Sequence, residues 1–199
     1  MKRIAWISLA LAVVTLPLFG QKTPEQLKAS FTAHRADFDY LLGDWQFTAE
    51  NQQYGKYHGV WSAAKLGEGP QILDEFRVTG DHGETYALTS TLRAYNATLD
   101  RWELVSVDEG NGLQNFGTAV KVGAEMHIEQ KFGYGTTKPV VLRIRYYNIR
   151  PDGFSWVADR STDDGKTWTP NFMKIEARRA GPARTLDPLT HAAGGSGKR

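Results

Sequence analysis

The chain has 199 residues and no cysteine, which excludes disulfides, thiolate metal sites and thiol nucleophiles. A chain of this composition must hold its fold by its hydrophobic core alone. Its five histidines, His34, His58, His82, His127 and His191, are isolated, without an i, i+4 pair or a His-Glu-x-x-His pattern. The common zinc sites are thereby excluded, and no metal or cofactor is expected. Gly-x-Ser-x-Gly elbows, P-loops and dinucleotide fingerprints are missing too. So is a surplus of charge. There are 24 Lys+Arg against 22 Asp+Glu, and setting aside Lys2 and Arg3 leaves 22 of each. A balanced protein has no electrostatic reason to bind nucleic acid.

Long apolar runs are absent except at the start, where Ile4 to Phe19 follows Lys2-Arg3 and ends at Gly20-Gln21. Residues 1–20 fit a secretory signal peptide, too short for a lasting membrane span. The expectation is an exported, periplasmic or extracellular protein with no membrane contact after cleavage. The remainder, about 160 residues of core, is enough for one domain.

Residues 21–42 form a lead-in in which Leu27, Phe31, Phe38 and Leu41 recur at helical spacing, with Thr23 or Pro24 suited to a helix start. One short helix over 24–42, covering one end of the strand-rich region, is predicted. From Trp45 the apolar spacing shifts to two, and turn signals such as Gly80-Asp81-His82-Gly83 and Pro151-Asp152-Gly153 arrive every 8 to 14 residues. Strands are predicted at 45–52, 57–65, 71–79, 84–95, 101–107, 114–121, 125–132, 139–149, 154–160 and 167–178. No intervening segment can carry a parallel crossover. The predicted fold is all-β: a single antiparallel up-and-down barrel of about ten strands, wider than a filled eight-stranded barrel and so with room for a small molecule. After Arg179 the composition turns to Gly, Pro, Ala and Ser, and residues 180–199 are predicted to be a disordered tail.

Gly43-Asp44-Trp45 resembles the Gly-x-Trp of the calycins, the group containing lipocalins and fatty-acid-binding proteins. In that group the Trp packs across the barrel end against a basic residue of the last strand. Alternation through Met173, Ile175 and Ala177 favours Arg179 over Arg178 as that residue. Gly43, Trp45 and Arg179 are therefore expected to form a structural latch. Asp74-Glu75-Phe76-Arg77, Thr91 to Asn96, Arg101-Trp102, Ser155-Trp156 and Ser161 to Trp168 are similar to a family of uncharacterised, mostly bacterial lipocalin-like domains, many of them exported. The likeness covers residues 38–179. It implies a barrel and small-molecule binding, with no activity to transfer. Ser161 to Trp168 also fits an Asp-box pattern, here in a single copy, and reads as a hairpin built by Ser161, Asp163, Gly165 and Trp168.

Charged strand residues supply the ligand candidates. Glu75 shares a strand face with Arg77, Arg93 with Tyr95, and Arg143 with Arg145 and Tyr147. Facing inward, such guanidinium groups would need an anion, either Asp74, Glu75 or a ligand carboxylate. Arg93-Ala94-Tyr95 and Arg145-Tyr146-Tyr147 spell the Arg-x-Tyr that holds the lipid carboxylate in fatty-acid-binding proteins, although there it lies on the final strand. Trp61, Trp102 and Trp156 offer flat apolar walls or simple core filling. The expected ligand set is Glu75, Arg77, Arg93, Tyr95, Trp102, Arg145, Tyr147 and Trp156. The expected ligand is small and amphipathic or aromatic, with an acidic head group where an Arg orients it, and it is bound without catalysis. Two rivals remain. One is an enzyme of isomerase, cyclase or decarboxylase type using Asp74 or Glu75. The other is a protein-interaction module with a filled barrel. His127 with Glu129 is the one His–carboxylate pair suited to acid–base work.

Overall fold

A computed structural model describes residues 21–67 and 69–187. The expected signal segment and the last twelve residues of the tail, 188–199, lie outside the described residues. Helix α1 runs Pro24–His34, with Pro24 at its first position. Thr23 caps it reciprocally: its hydroxyl accepts from the Gln26 N–H, and the Gln26 side chain accepts from the Thr23 N–H at 2.9 Å. The helix ends at His34, whose Nδ1 lies 2.8 Å from Asp37, and a separate 3-10 turn spans Asp39–Leu41. The predicted 24–42 helix is thus two pieces. None of α1 is buried, whereas Phe38 and Leu41 are fully buried. The chain leaves helical geometry to drive those two side chains into the barrel end.

The strands are β1 Gly43–Asn51, β2 Gly55–Leu66, β3 Ile72–Thr79, β4 Thr85–Asn96, β5 Arg101–Asp108, β6 Gly112–Val122, β7 Glu125–Phe132, β8 Val140–Arg150, β9 Gly153–Ser161 and β10 Thr169–Gly181. Each pairs antiparallel with the next, and β1 pairs with both β2 and β10, so the ten strands close into an up-and-down barrel. Closure removes the sheet edges that would otherwise invite association. Alternation sets the two faces. On β1, Trp45, Phe47, Ala49 and Asn51 are buried while Gln46, Thr48 and Glu50 are exposed. The core lies inside the barrel and is richest in aromatic rings under the lead-in.

The predicted tail needs correction at its start. Strand β10 continues to Gly181, and a short β11, Arg184–Leu186, pairs parallel with Ala64–Leu66 of β2. The reason is geometric: Ala63 already faces Gly43, the first residue of β1, so the last residues of β2 have no β1 partner. β11 satisfies them, held by Arg184 donating to Asp44 at 2.6 Å.

Candidate functional site

The barrel end under the lead-in is a floor of interlocked rings. Phe38 meets Trp102 edge-on at 5.1 Å, Trp45 meets Phe154 at 4.9 Å, and Trp61 meets Tyr146 at 5.8 Å. Trp45 donates from Nε1 to the Leu41 carbonyl at 2.7 Å, and the Arg179 guanidinium lies 4.1 Å from the Trp45 ring centre. Arg179 also donates to the Leu42 carbonyl at 2.8 Å. Gly43 is needed there twice over: its φ is +111°, and a Cβ would stand 2.6 Å from Arg179 Nη1. Arg178 points outward and is exposed.

Within this floor sits a buried ion pair. Asp74 accepts from Arg93 Nε at 2.5 Å, from Arg93 Nη2 at 3.2 Å and from Trp61 Nε1 at 2.8 Å, with the two charged side chains 0% and 4% exposed. Burial is the largest influence and disfavours the Arg93 charge, yet the charge and hydrogen bonds of Asp74, together with Tyr146 and Tyr40, outweigh it and hold the guanidinium above its ordinary value. Burial also pushes the Tyr40 and Tyr146 hydroxyls up, so both stay protonated. Three buried donors, Arg93 Nη1, Trp102 Nε1 and the Tyr40 hydroxyl, have no partner among the described residues. All belong to side chains around Phe38: Arg93 stacks over its ring at 5.0 Å, and the Tyr40 ring lies 6.0 Å away.

The structure brings Arg93, Trp102 and Trp156 together inside, sets Tyr95 at their margin with its ring edge-on to Trp102 at 5.7 Å, and places the other expected ligand residues outside. Tyr95 turns to the lead-in, stacking on His34 at 5.2 Å with its hydroxyl 2.9 Å from Ser30 Oγ. Glu75 and Arg77 lie on the outer wall as a part-exposed ion pair at 3.1 Å, because β3 points Ile72 and Asp74 inward. Arg145 is likewise outside, 3.6 Å from Glu125 and 5.6 Å from the Tyr147 ring, because β8 points Ile144 and Tyr146 inward. The inward reading of these four residues is corrected by strand parity. His127 meets Glu125 at 2.7 Å rather than Glu129, and that bond holds the Glu125 carboxyl below its usual range.

At the other end the lumen has a different character. Tyr57, Phe76, Val78, Leu142 and Met173 face inward yet remain part-exposed. They form an apolar wall from β2, β3, β8 and β10. Opposite them, β4 to β7 supply a hydroxyl and amide wall. Thr91 and Ser106 bond at 2.9 Å, Gln130 donates to Asn115 at 2.9 Å, Asn115 donates to Gln114 at 2.9 Å and Gln114 donates to Thr89 at 3.2 Å. The Tyr57 hydroxyl donates to Met173 Sδ at 3.2 Å, and burial pushes its pKa up to about 12. Part-exposed side chains on an inner face mean that solvent enters here, and this end is the mouth. Sequence reasoning missed this wall because Thr, Ser, Asn and Gln on strands carry no chemical signature. The available signal was parity: Thr89 and Thr91 share the face of Arg93.

The β9–β10 hairpin stands at the mouth. Asp163 accepts from the Thr167 N–H at 2.9 Å, from Thr167 Oγ1 at 2.6 Å and from Ser161 Oγ at 2.8 Å. Those bonds hold its carboxyl down at about 2. Trp168 donates to the Gly165 carbonyl at 3.0 Å and lies under Arg143, 4.0 Å from the ring centre. Two clefts lie on the outer wall among the described residues. One of about 340 Å³ is lined by His127, Glu129, Arg143, Arg145 and Asp159. The other, of about 490 Å³, is lined by Glu50, Lys56, His58, Lys174 and Glu176. Among the described residues no group of three His, Asp or Glu side chains could hold a metal ion.

No protein-family model matches the chain, and no curated protein matches it. It is similar in structure to Rv2717c from M. tuberculosis, at 14% sequence identity and a TM-score of 0.47, over 76% of this chain and 97% of that chain.

Proposed function

We propose that this chain is an exported calycin-type barrel whose lumen holds one small amphipathic or aromatic molecule, taken up through the mouth and released unchanged. The observation that carries the reading is the apolar wall of the mouth, inward-facing but part-exposed at Tyr57, Phe76, Val78, Leu142 and Met173, beside a polar wall that is part-exposed at Thr89 and Gln130 and buried at Thr91, Ser106 and Asn115. A barrel filled by its own side chains would bury the apolar wall as well. An apolar ligand body along the first wall gains about 25 cal/mol for each Å² removed from water, and the second wall orients it. Binding without conversion is supported by the carboxylates proposed as acid–base groups: Asp74 accepts three hydrogen bonds as the counter-ion of Arg93, and Glu75 faces solvent. The Lys2-Arg3 start and the apolar run to Phe19 support export.

Native mass spectrometry of the protein purified from its own host tests this. One bound small molecule per chain is expected. Thr89→Trp should remove it, because Thr89 lies opposite Phe76 and Asp108 on the inner face. A bound mass that survives this substitution, or a protein that takes up no apolar probe at all, would sink the reading.

A further inference from the structure

We infer that Arg160 is the anion-recognising residue of the lumen, and that the molecule held there is an amphiphile with a single carboxylate head on an apolar body. This rests on the proposed binding function. Strand β9 sends Phe154, Trp156 and Ala158 into the core, and Arg160 is next in that series. It lies opposite Leu142 of the apolar wall, and Leu142 in turn lies opposite Gln130 of the polar wall. One register row therefore runs from amide to aliphatic to guanidinium across the mouth.

Among the described residues, two arginines face the lumen besides the latch residue Arg179. Arg93 is fully buried and already neutralised by Asp74. Arg160 is part-exposed, and among the described residues it has neither a carboxylate within ion-pair distance nor an acceptor for its side-chain N–H groups. What fixes it is a ring: its guanidinium carbon lies 4.7 Å from the centre of Phe172. Stacking uses one face of the guanidinium and leaves the in-plane donor fork open, the geometry that receives a carboxylate through two parallel hydrogen bonds.

The shelf under Arg160 is built by an irregularity. The β9–β10 register shifts between Thr169 and Met173, and Asn171 within that stretch has φ +50°. The Asn171 N–H is tied to Asp159 Oδ1 at 2.8 Å, which fixes the bulge and with it the neighbouring Phe172.

The test uses the full chain and the neutral fluorophore N-phenyl-1-naphthylamine, displaced by decanoate or by decanol, which share a chain and differ in the head group. Arg160→Gln should raise the decanoate needed for displacement by about 10- to 100-fold and leave decanol within about twofold. Arg160→Lys should fall between. Unchanged decanoate displacement, or equal loss for decanoate and decanol, overturns the assignment while leaving the lumen reading standing. If the wild-type protein does not bind the fluorophore, or Thr89→Trp leaves its binding intact, the lumen reading fails and the Arg160 assignment falls with it. Fluorophore binding by Arg160→Gln itself reports that the variant is folded.

Discussion

At the scale of single residues, two constellations hold the floor and make opposite demands. The latch is cooperative and partly accessible: Arg179 contacts the Trp45 ring and the Leu42 carbonyl at once. Arg179→Ala should cost about 1–3 kcal/mol from the lost cation–π contact and charged hydrogen bonds, whereas exposed Arg178→Ala should stay within about 0.5 kcal/mol. Urea denaturation midpoints at unchanged slope check both. The Asp74–Arg93 pair is buried, so removing one partner strands a charge. Asp74→Ala should destabilise by about 3–5 kcal/mol, and Asp74→Leu combined with Arg93→Met should recover much of that loss. A double variant no more stable than the single would show that Asp74 matters mainly as the acceptor for Trp61.

Elements carry the next two predictions. The Asp-box hairpin depends on an ionised Asp163, whose folded pKa of about 2 lies below its ordinary 3.8. A depressed carboxylate contributes its stabilisation fully above the ordinary value and loses it as pH falls through the folded one. The Thr167 amide should therefore stay protected down to about pH 4 and open between about pH 4 and 2, as hydrogen exchange or amide chemical shifts would record. Opening at higher pH would point instead to loss of the Trp168 packing under Arg143. Strand β11 has a local role. The Gly67 N–H donates to the Leu186 carbonyl at 3.0 Å, so truncation after Gly181 should expose the Gly67 amide to exchange while amides of β5 to β8 keep their protection.

For the whole molecule, closure is the last event. The first strand pairs with the tenth, Trp45 opposite Arg179, so the barrel cannot seal until nearly the whole chain is in place. Topologies dominated by such distant pairings fold in milliseconds to seconds. Arg179→Ala should act mainly by speeding unfolding and change the refolding rate less than about twofold, because contacts that form last are absent from the transition state. Stopped-flow chevron arms separate the two effects. A slowed refolding arm would place β1–β10 pairing in the nucleus.

Much of this was legible from letters alone, for a physical reason. The period-two spacing and the turn residues are local, and they placed ten strands near their observed positions, together with the helix start at Thr23-Pro24. Parity along β10 singled out Arg179, which now lies over Trp45. Parity also tied Glu75 to Arg77 and Arg145 to Tyr147, but alternation cannot say which of its two faces turns inward. Only the closed barrel decided that, by the register of each strand against its neighbours, and it sent those four residues outside and Asp74 inside. The same holds for β11, whose partner is the overhang of β2, and for the mouth, where Thr, Ser, Asn, Gln and Arg160 become a lined interior only once the six strands β4 to β9 stand side by side. Local pattern fixes which element forms, because it acts over a few residues. Which side chains share a space depends on residues far apart in the chain, and that belongs to the tertiary structure.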